Sequence, residues 1–235
     1  MGYQSIFQRH EIKYLITREQ MGLILQELDL HLRPDAYGPS TVRNLYFDTD
    51  SYRLIRRSLE KPVYKEKLRL RCYCQAREDT PVFVELKKKY KGVVYKRRLS
   101  LPEGEAMAWL CGRGPGPDRQ IGREIDCFLA FYGSLQPKAV LFYDRQAWYD
   151  REDPELRITF DDNIRFRQTE LSLQAQVGGI PLLPPDQILM EIKCAGAMPL
   201  WLTQVLTRHR LYKTSFSKYG TAYRNYIFQG ENTHA

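Results

Sequence analysis

Five stretches of the chain place Lys, Arg and Glu at every second position, and that spacing is where chemistry has to be sought. In KLRLR, Lys67, Arg69 and Arg71 alternate with Leu68 and Leu70. In VFVELKKK, Glu85, Lys87 and Lys89 alternate with Val82, Val84 and Leu86. RHEIKYL sets Arg9, Glu11 and Lys13 against Ile12 and Tyr14, and LMEIKC sets Glu191 and Lys193 against Met190 and Ile192. LRITFD sets Arg157, Thr159 and Asp161 against Leu156, Ile158 and Phe160. Successive side chains of a strand point to opposite faces, so each stretch predicts a strand with one charged and one aliphatic face.

For any single strand of this kind the ordinary reading is a sheet with its charges in water and its aliphatic residues in the core. The set asks for more. Like charges two residues apart on a strand lie about 7 Å from each other, repel, and gain nothing unless an anion sits between them. Glu-x-Lys recurs three times, at Glu11/Lys13, Glu85/Lys87 and Glu191/Lys193. Carboxylates among so many cations suit a divalent metal that bridges to phosphate oxygens. If helices cover the aliphatic faces, the charged faces turn inward and the interior suits a chain of phosphates.

The elements that must position these residues follow from the same periodicities. Residues 9–16 predict a strand, and Thr17 with Gln20 forms a capping box for a helix to about His31, with Met21, Ile24, Leu25 and Leu28 on its apolar side. Residues 42–48 predict a strand whose Tyr46-Phe47-Asp48 reads as core with an exposed Asp, and a short helix follows at 51–57. Strands at 65–75, 81–89 and 92–101, joined by REDT and YKG, predict an antiparallel meander. Helices at 103–111 and 121–132 flank GRGPGPDRQ, whose glycines lack the spacing of a phosphate-binding loop. Further strands are expected at 138–149, 155–161, 163–168 and 187–194, with a Pro/Gly loop at 178–186 and closing helices at 198–209 and 217–228. The expected fold class is α+β, dominated by one antiparallel sheet or barrel, with residues 1–235 as a single domain.

Composition agrees with this direction. The chain has 235 residues, 43% of them apolar, and a net charge of +8, which favours polyanionic partners. Nucleic acid would call for stacking aromatics between the cations, and the interleaved residues are mostly Leu, Val and Ile, so no nucleic acid is expected. The five cysteines, Cys72, Cys74, Cys111, Cys127 and Cys194, match no zinc signature and read as reduced packing residues. Cys72 and Cys74 share a face of the expected strand, where a CxC metal site is the weaker reading. His10, His31, His209 and His234 are scattered and form no triad with a Cys or Ser. Met1-Gly2 opens like a myristoylation signal, but the early strand leaves little free tail. No signal peptide is read and no apolar run approaches the ~20 residues of a membrane span, so a cytoplasmic location is expected.

The opening Glu11/Lys13 pair, the KLRLR strand, FVELKKK, the strand containing Tyr143-Asp144-Arg145, LRITFD, the late MEIK and the terminal SFSKY together resemble the VTC domain. That domain is the polyphosphate polymerase domain of the vacuolar transporter chaperone complex, one of the triphosphate tunnel metalloenzymes with CYTH proteins as relatives. The resemblance runs from about residue 8 to residue 226. It implies an eight-stranded antiparallel barrel, the triphosphate tunnel, with helices packed outside. It also implies transfer of the γ-phosphate of ATP onto a polyphosphate chain, helped by Mn²⁺ or Mg²⁺. In this chain Lys13, Arg69, Arg71, Lys87, Lys96, Arg145, Arg157 and Lys218 would contact phosphates, with Lys67, Arg98 and Lys193 beside them. Lys87, Arg69, Arg71 and Arg145 would act on the transferred group. Glu191 would hold the metal, with Glu11 or Glu85. Tyr143 lies on the face of Arg145, and Ser217 would donate to a phosphate oxygen. The partners implied are ATP or triphosphate, polyphosphate, and a membrane protein that moves the product. The same fold also serves triphosphate hydrolysis and binding without turnover, and the residues leave these alternatives open.

Overall fold

The computed structural model describes residues 10–91 and 93–229. Arg9, His234 and the Met1-Gly2 start lie outside the described residues. The chain runs β1 (His10–Thr17), α1 (Arg18–Glu27), β2 (Leu32–Pro34), β3 (Ser40–Asp48), α2 (Arg53–Leu59), β4 (Tyr64–Cys72), β5 (Pro81–Tyr90) and β6 (Val93–Pro102). It continues with α3 (Glu103–Leu110), α4 (Gln120–Tyr132), β7 (Gln136–Asp150), β8 (Arg157–Arg167), β9 (Ile180–Pro181) and β10 (Gln187–Cys194). It closes with α5 (Leu200–Arg208), α6 (Lys218–Ala222) and a π-helical turn at Tyr223–Ile227. The expected α+β class holds. The capping box at α1 also forms, with Gln20 N–H donating to Thr17 Oγ1 at 3.1 Å and Thr17 N–H to Gln20 Oε1 at 2.9 Å.

The sheet departs from the expected closed eight-stranded barrel. The described residues form a ten-stranded sheet with the path β1-β10-β8-β7-β3-β4-β5-β6, while β2 pairs with β7 and β9 with β8 off that path. All its ladders are antiparallel. Among the described residues β1 and β6 share no ladder, so the sheet is open at that seam. It is nevertheless strongly curled. From β1 to β5 is six strand steps, about 29 Å on a flat sheet, yet Lys87 Nζ lies 3.6 Å from Glu11 Oε2. Residues leading into α6 run along the free edge of β1, where Thr214 N–H donates to Lys13 O at 2.7 Å.

The alternation read in the sequence sets which face is which. Leu68, Leu70, Val82, Val84 and Leu86 are fully buried with Ala106 and Trp109 of α3 and Ile125 and Phe128 of α4. Ile158, Phe160, Ile188, Met190 and Ile192 are buried with Ile24 of α1 and Leu202, Val205 and Leu206 of α5. Two helical layers therefore clad the aliphatic side, and the charged side lines the concavity. Burial of five such apolar side chains on each half contributes on the order of 10 kcal/mol before entropy is counted, which holds these faces against the helices.

One end of the concavity is plugged. Tyr46, Leu141 and Tyr143 of the inner face pack with Ile55 of α2 and Tyr219, Tyr223 and Ile227 of the C-terminal helix, and Tyr46 stacks on Tyr219 at 4.6 Å. Asp48, expected to be exposed, is fully buried here. It accepts the N–H groups of Leu54 (2.8 Å) and Ile55 (3.0 Å) and the Tyr219 hydroxyl (3.2 Å), and so caps α2. The two strands expected at 155–161 and 163–168 are one strand, β8, carrying an extra residue opposite Phe142–Asp144. Asn163 takes a positive φ of 47° there. The bulge shifts the parity, so Asp161 faces inward before it and Ile164 and Phe166 after it. Cys74, expected on the strand with Cys72, lies beyond its end.

Candidate functional site

Four carboxylates organise the concave face in two groups. Glu191 on β10 is one centre. Its Oε1 lies 3.2 Å from Lys13 Nζ of β1 and 3.4 Å from Lys218 Nζ of α6, and its Oε2 lies 3.8 Å from both Arg145 Nη2 and Lys193 Nζ. Asp161 on β8 joins this group. It is fully buried and holds Arg145 in a two-pronged pair at 2.6 Å for each prong, with Lys218 Nζ at 2.5 Å. Glu11 shares Lys13 with Glu191, at 3.2 Å.

Glu85 on β5 is the second centre, 1% exposed. One oxygen takes Arg69 Nε at 2.9 Å and Nη2 at 2.7 Å, with Arg71 Nε at 3.9 Å. The other takes Lys96 Nζ at 2.7 Å and Arg98 Nε at 2.8 Å, and Arg98 Nη2 also pairs with it. Register explains the convergence, because Arg69 and Arg98 sit directly opposite Glu85 on β4 and β6.

Tyr143 and Lys67 lie between the two groups. The Tyr143 hydroxyl accepts from Arg71 Nη2 at 3.2 Å, and the Tyr143 ring lies 5.1 Å from the Arg145 guanidinium and 4.4 Å from Lys218 Nζ. Burial would raise the Tyr143 pKa, but Arg71, Arg145 and Lys218 outweigh it and lower it. Lys67 Nζ donates to Ser217 Oγ at 3.2 Å, and Gly220 N–H donates to the same oxygen at 3.2 Å. Both contacts use lone pairs, so the Ser217 O–H stays available to donate.

The structure thus brings together Lys13, Lys67, Arg69, Arg71, Lys87, Lys96, Arg98, Arg145, Lys193 and Lys218 with Tyr143, Ser217, Glu11, Glu85 and Glu191. Arg157 does not join them. It shares the inner parity, but its guanidinium goes to Asp35 at 3.3 Å and packs 5.0 Å from the Tyr149 ring. Glu85 sits apart from Glu11 and Glu191, held by guanidiniums. Sequence reasoning missed three contributors. Asp161 was assigned to the charged face yet given no role, although an acid among cations is itself the signal. Tyr46, whose hydroxyl accepts from Arg69 Nη1 at 3.0 Å, and Asn44, which accepts from Arg71 Nε at 2.9 Å, carried no signal beyond parity on β3.

The electrostatics follow from ten cations facing four carboxylates. Burial opposes ionisation of Glu11, but Lys87, Lys13 and Lys193 hold its pKa down to about 2. Burial likewise opposes ionisation of Glu85, Asp161 and Glu191, and in each case the surrounding cations win and keep the pKa below the ordinary carboxylate value. Lys13 and Lys218, paired to carboxylates, are raised against burial, and Lys67 and Lys193 bear the cost of crowding. Burial, then Lys87, Lys13, Lys65 and Arg69, pull Lys67 down to about 7, and burial pulls Lys193 down to about 8 against Glu191 and Glu11.

A bound anion reverses the lysine shifts, which fixes the sign of a pH effect. Protonated Lys67 and Lys193 are favoured beside phosphate, so binding takes up protons where the free groups have lost them. Polyphosphate affinity is therefore highest below pH 7 and falls as pH rises through 7 and 8. Calorimetry at pH 8 in two buffers of different ionisation heat should show net proton uptake. Equal heats in both buffers would contradict the assignment.

The donor chemistry also fits a divalent metal of a particular kind. Among the described residues no group of three or more His, Cys, Asp or Glu side chains gathers as a cation cage. Glu191 and Glu11 do converge on one ammonium, that of Lys13, so two carboxylates already share a cation. A hard cation such as Mg²⁺ takes one or two carboxylates and completes its shell with waters and substrate phosphates. Glu191, with Glu11, would hold it.

Comparison with known proteins bears on the fold and the family. A structure of a Bacillus halodurans protein named as a candidate adenylate cyclase superposes with a TM-score of 0.56 over 91% of this chain and 94% of that one, at 15% identity. A Vibrio parahaemolyticus protein of the same description gives 0.48 over 93% and 98%, at 10% identity. The first likeness speaks for the fold alone. No curated protein matches the sequence. Among the described residues no helix is long and apolar enough to cross a membrane. The family model of the VTC domain matches residues 8–227, and the chain belongs to the VTC domain family.

Proposed function

We propose that this protein transfers the γ-phosphate of ATP onto a polyphosphate chain as a metal-dependent phosphotransferase. The observation that carries the reading is the pairing of the carboxylates. Glu11, Glu85, Asp161 and Glu191 each lie within ion-pair distance of Lys or Arg, and these cations hold each carboxylate below its ordinary pKa. A general base works best with a pKa near the working pH, so none of these groups suits the activation of water. The terminal oxyanion of a polyphosphate is already ionised and needs no base. This favours transfer over hydrolysis.

Phosphoryl transfer asks the protein mainly for positioning and charge. Negative charge spreads over the equatorial oxygens of the group in flight. Arg69, Arg71 and Arg145 offer planar forks that match those oxygens, and Lys67 and Lys87 offer point charges. Lys67 takes up a proton as phosphate arrives, and the Ser217 hydroxyl orients an oxygen next to it. The aromatic plug around Tyr219 and Tyr223 keeps water from one end. Glu191, with Glu11, would hold a divalent metal, which would supply neutralisation of phosphate charge. The bond from the γ-phosphorus to the β,γ-bridging oxygen breaks, a bond to the chain's terminal oxygen forms, and ADP leaves.

Incubation with ATP and Mn²⁺ tests this. Polyphosphate should lengthen on a gel while ADP accumulates. Free phosphate with no polymer would make the protein a hydrolase of the same fold, and tight polyphosphate binding without turnover would make it a carrier.

A further inference from the structure

Cys72 and Cys74 take no part in the phosphate face, yet their placement is chemically specific. Cys72 ends β4 on its aliphatic side and is 2% exposed, whereas Cys74 is exposed. The chain bends at Tyr73–Cys74, which brings the two sulfurs to 3.3 Å. A disulfide bond is about 2.05 Å long, so closure asks for ~1.3 Å of approach, and the exposed Cys74 is free to supply it.

The two thiols differ in access, because burial pushes the Cys72 thiol up while Cys74 is exposed. Arg43 lies opposite Cys72 on the β3–β4 ladder, and both sulfurs act electrostatically on its guanidinium. Its Nη1 donates to the carbonyls of Ala175 at 2.5 Å and Leu173 at 3.5 Å, which carry no net charge. Its buried Nε has no hydrogen-bond partner, and among the described residues no carboxylate pairs with it. The exposed Cys74 is therefore the thiol that an oxidant reaches first, with Cys72 behind it as the resolving thiol.

We propose that Cys72 and Cys74 form a reversible intramolecular disulfide, with a small-molecule disulfide such as oxidised glutathione as the oxidant. The Cys74 thiolate attacks one sulfur of the oxidant, leaving a mixed disulfide and releasing one thiolate. Cys72 gives its proton to solvent, attacks Cys74 Sγ and expels the second thiolate. The protein loses two protons and two electrons, and the oxidant becomes two thiols.

The bond brackets Tyr73, whose hydroxyl accepts from Arg98 Nη2 at 3.5 Å and whose ring packs edge-on against Phe83 at 6.0 Å. Closing the ring draws Tyr73 off Arg98 and loosens that side of the phosphate face. Oxidation therefore weakens tripolyphosphate binding, by roughly fivefold on the scale of ordinary coupling between sites. The bond itself stands apart from the phosphate reading, and only the affinity change rests on it.

The test treats the full chain with oxidised glutathione, then reads intact mass, peptide mass and tripolyphosphate affinity. Expected are the loss of two hydrogens mapped to residues 72–74, reversal by dithiothreitol, and weaker binding in the oxidised form only. Cys74→Ser should show neither change, and Cys72→Ala, which retains the exposed thiol, should stop at a stable glutathione adduct. A stable adduct at Cys74 of the parent protein, or no reaction at residues 72–74, would overturn the disulfide, and closure with unchanged affinity would overturn its coupling to the phosphate face. If the reduced protein fails to bind tripolyphosphate at all, the phosphate reading falls, while the mass still decides the disulfide.

Discussion

Glu85→Gln should cost the protein about 3 kcal/mol of stability, and tripolyphosphate should restore most of it. Removing one partner of a buried charge cluster typically costs about 3–5 kcal/mol because the remaining charge is left uncompensated. Here the low end applies, since Lys96 and Arg98 are more than a third exposed and screened by water, while Arg69 and Arg71 are not. For a chain of this size the melting temperature should drop by roughly 10 °C. The diagnostic part is the rescue. If Glu85 stands where phosphate oxygens also satisfy the guanidiniums, the variant should gain more from tripolyphosphate than the parent does. A variant that melts within a degree of the parent, or gains less from the ligand, would show that Glu85 is not the counter-ion of this cluster.

Glu191→Gln should separate binding from turnover. Lys13, Lys218, Lys193 and Arg145 all lie within 3.8 Å of the Glu191 carboxylate. Making it neutral frees their charge for an anion, so metal-free tripolyphosphate should bind at least as tightly as to the parent. On the proposed reading the same change removes the first oxygen donor for a divalent metal. ATP-dependent synthesis should fall about 100-fold or more, the scale seen when a charge-stabilising group is lost from an active site. The two readouts moving in opposite directions is the signature, measured by calorimetry without metal and by product formation with Mn²⁺. Binding and turnover falling together would mean that Glu191 acts only to hold the site in shape.

Much of this was legible in the sequence because it is local. Period-2 alternation put Lys67, Arg69, Arg71, Glu85 and Lys87 on one face, and Thr17 with Gln20 announced the start of α1. What was not legible depends on residues far apart in the chain. Whether the sheet closes is decided at a seam between β1 and β6, and no property of either strand announces it. The bulge at Asn163 depends on how β8 meets β7, so the parity flip after Asp161 was invisible. The resemblance implies Arg157 as a phosphate contact, and the Asp35 carboxylate that takes its guanidinium is 122 residues away. Asp48 reads as a surface acid until α2 is known to fold back onto it. Asp161 is the instructive miss. Its face follows from the alternation, but its role depends on Arg145 of β7 and Lys218 of α6 converging on it.

The central claim is that the concave face of the curled sheet is a receptor for a phosphate chain, and thermal unfolding with tripolyphosphate tests it most directly. Ten cations crowded against four carboxylates make the free face electrostatically unfavourable, so a ligand that fills it must stabilise the fold by linkage. With 1 mM ligand and micromolar affinity the gain is about 4 kcal/mol, or roughly 10 °C for a chain of this length. The rise should saturate with concentration and exceed that given by sulfate at matched ionic strength. No rise beyond the salt control would contradict the claim.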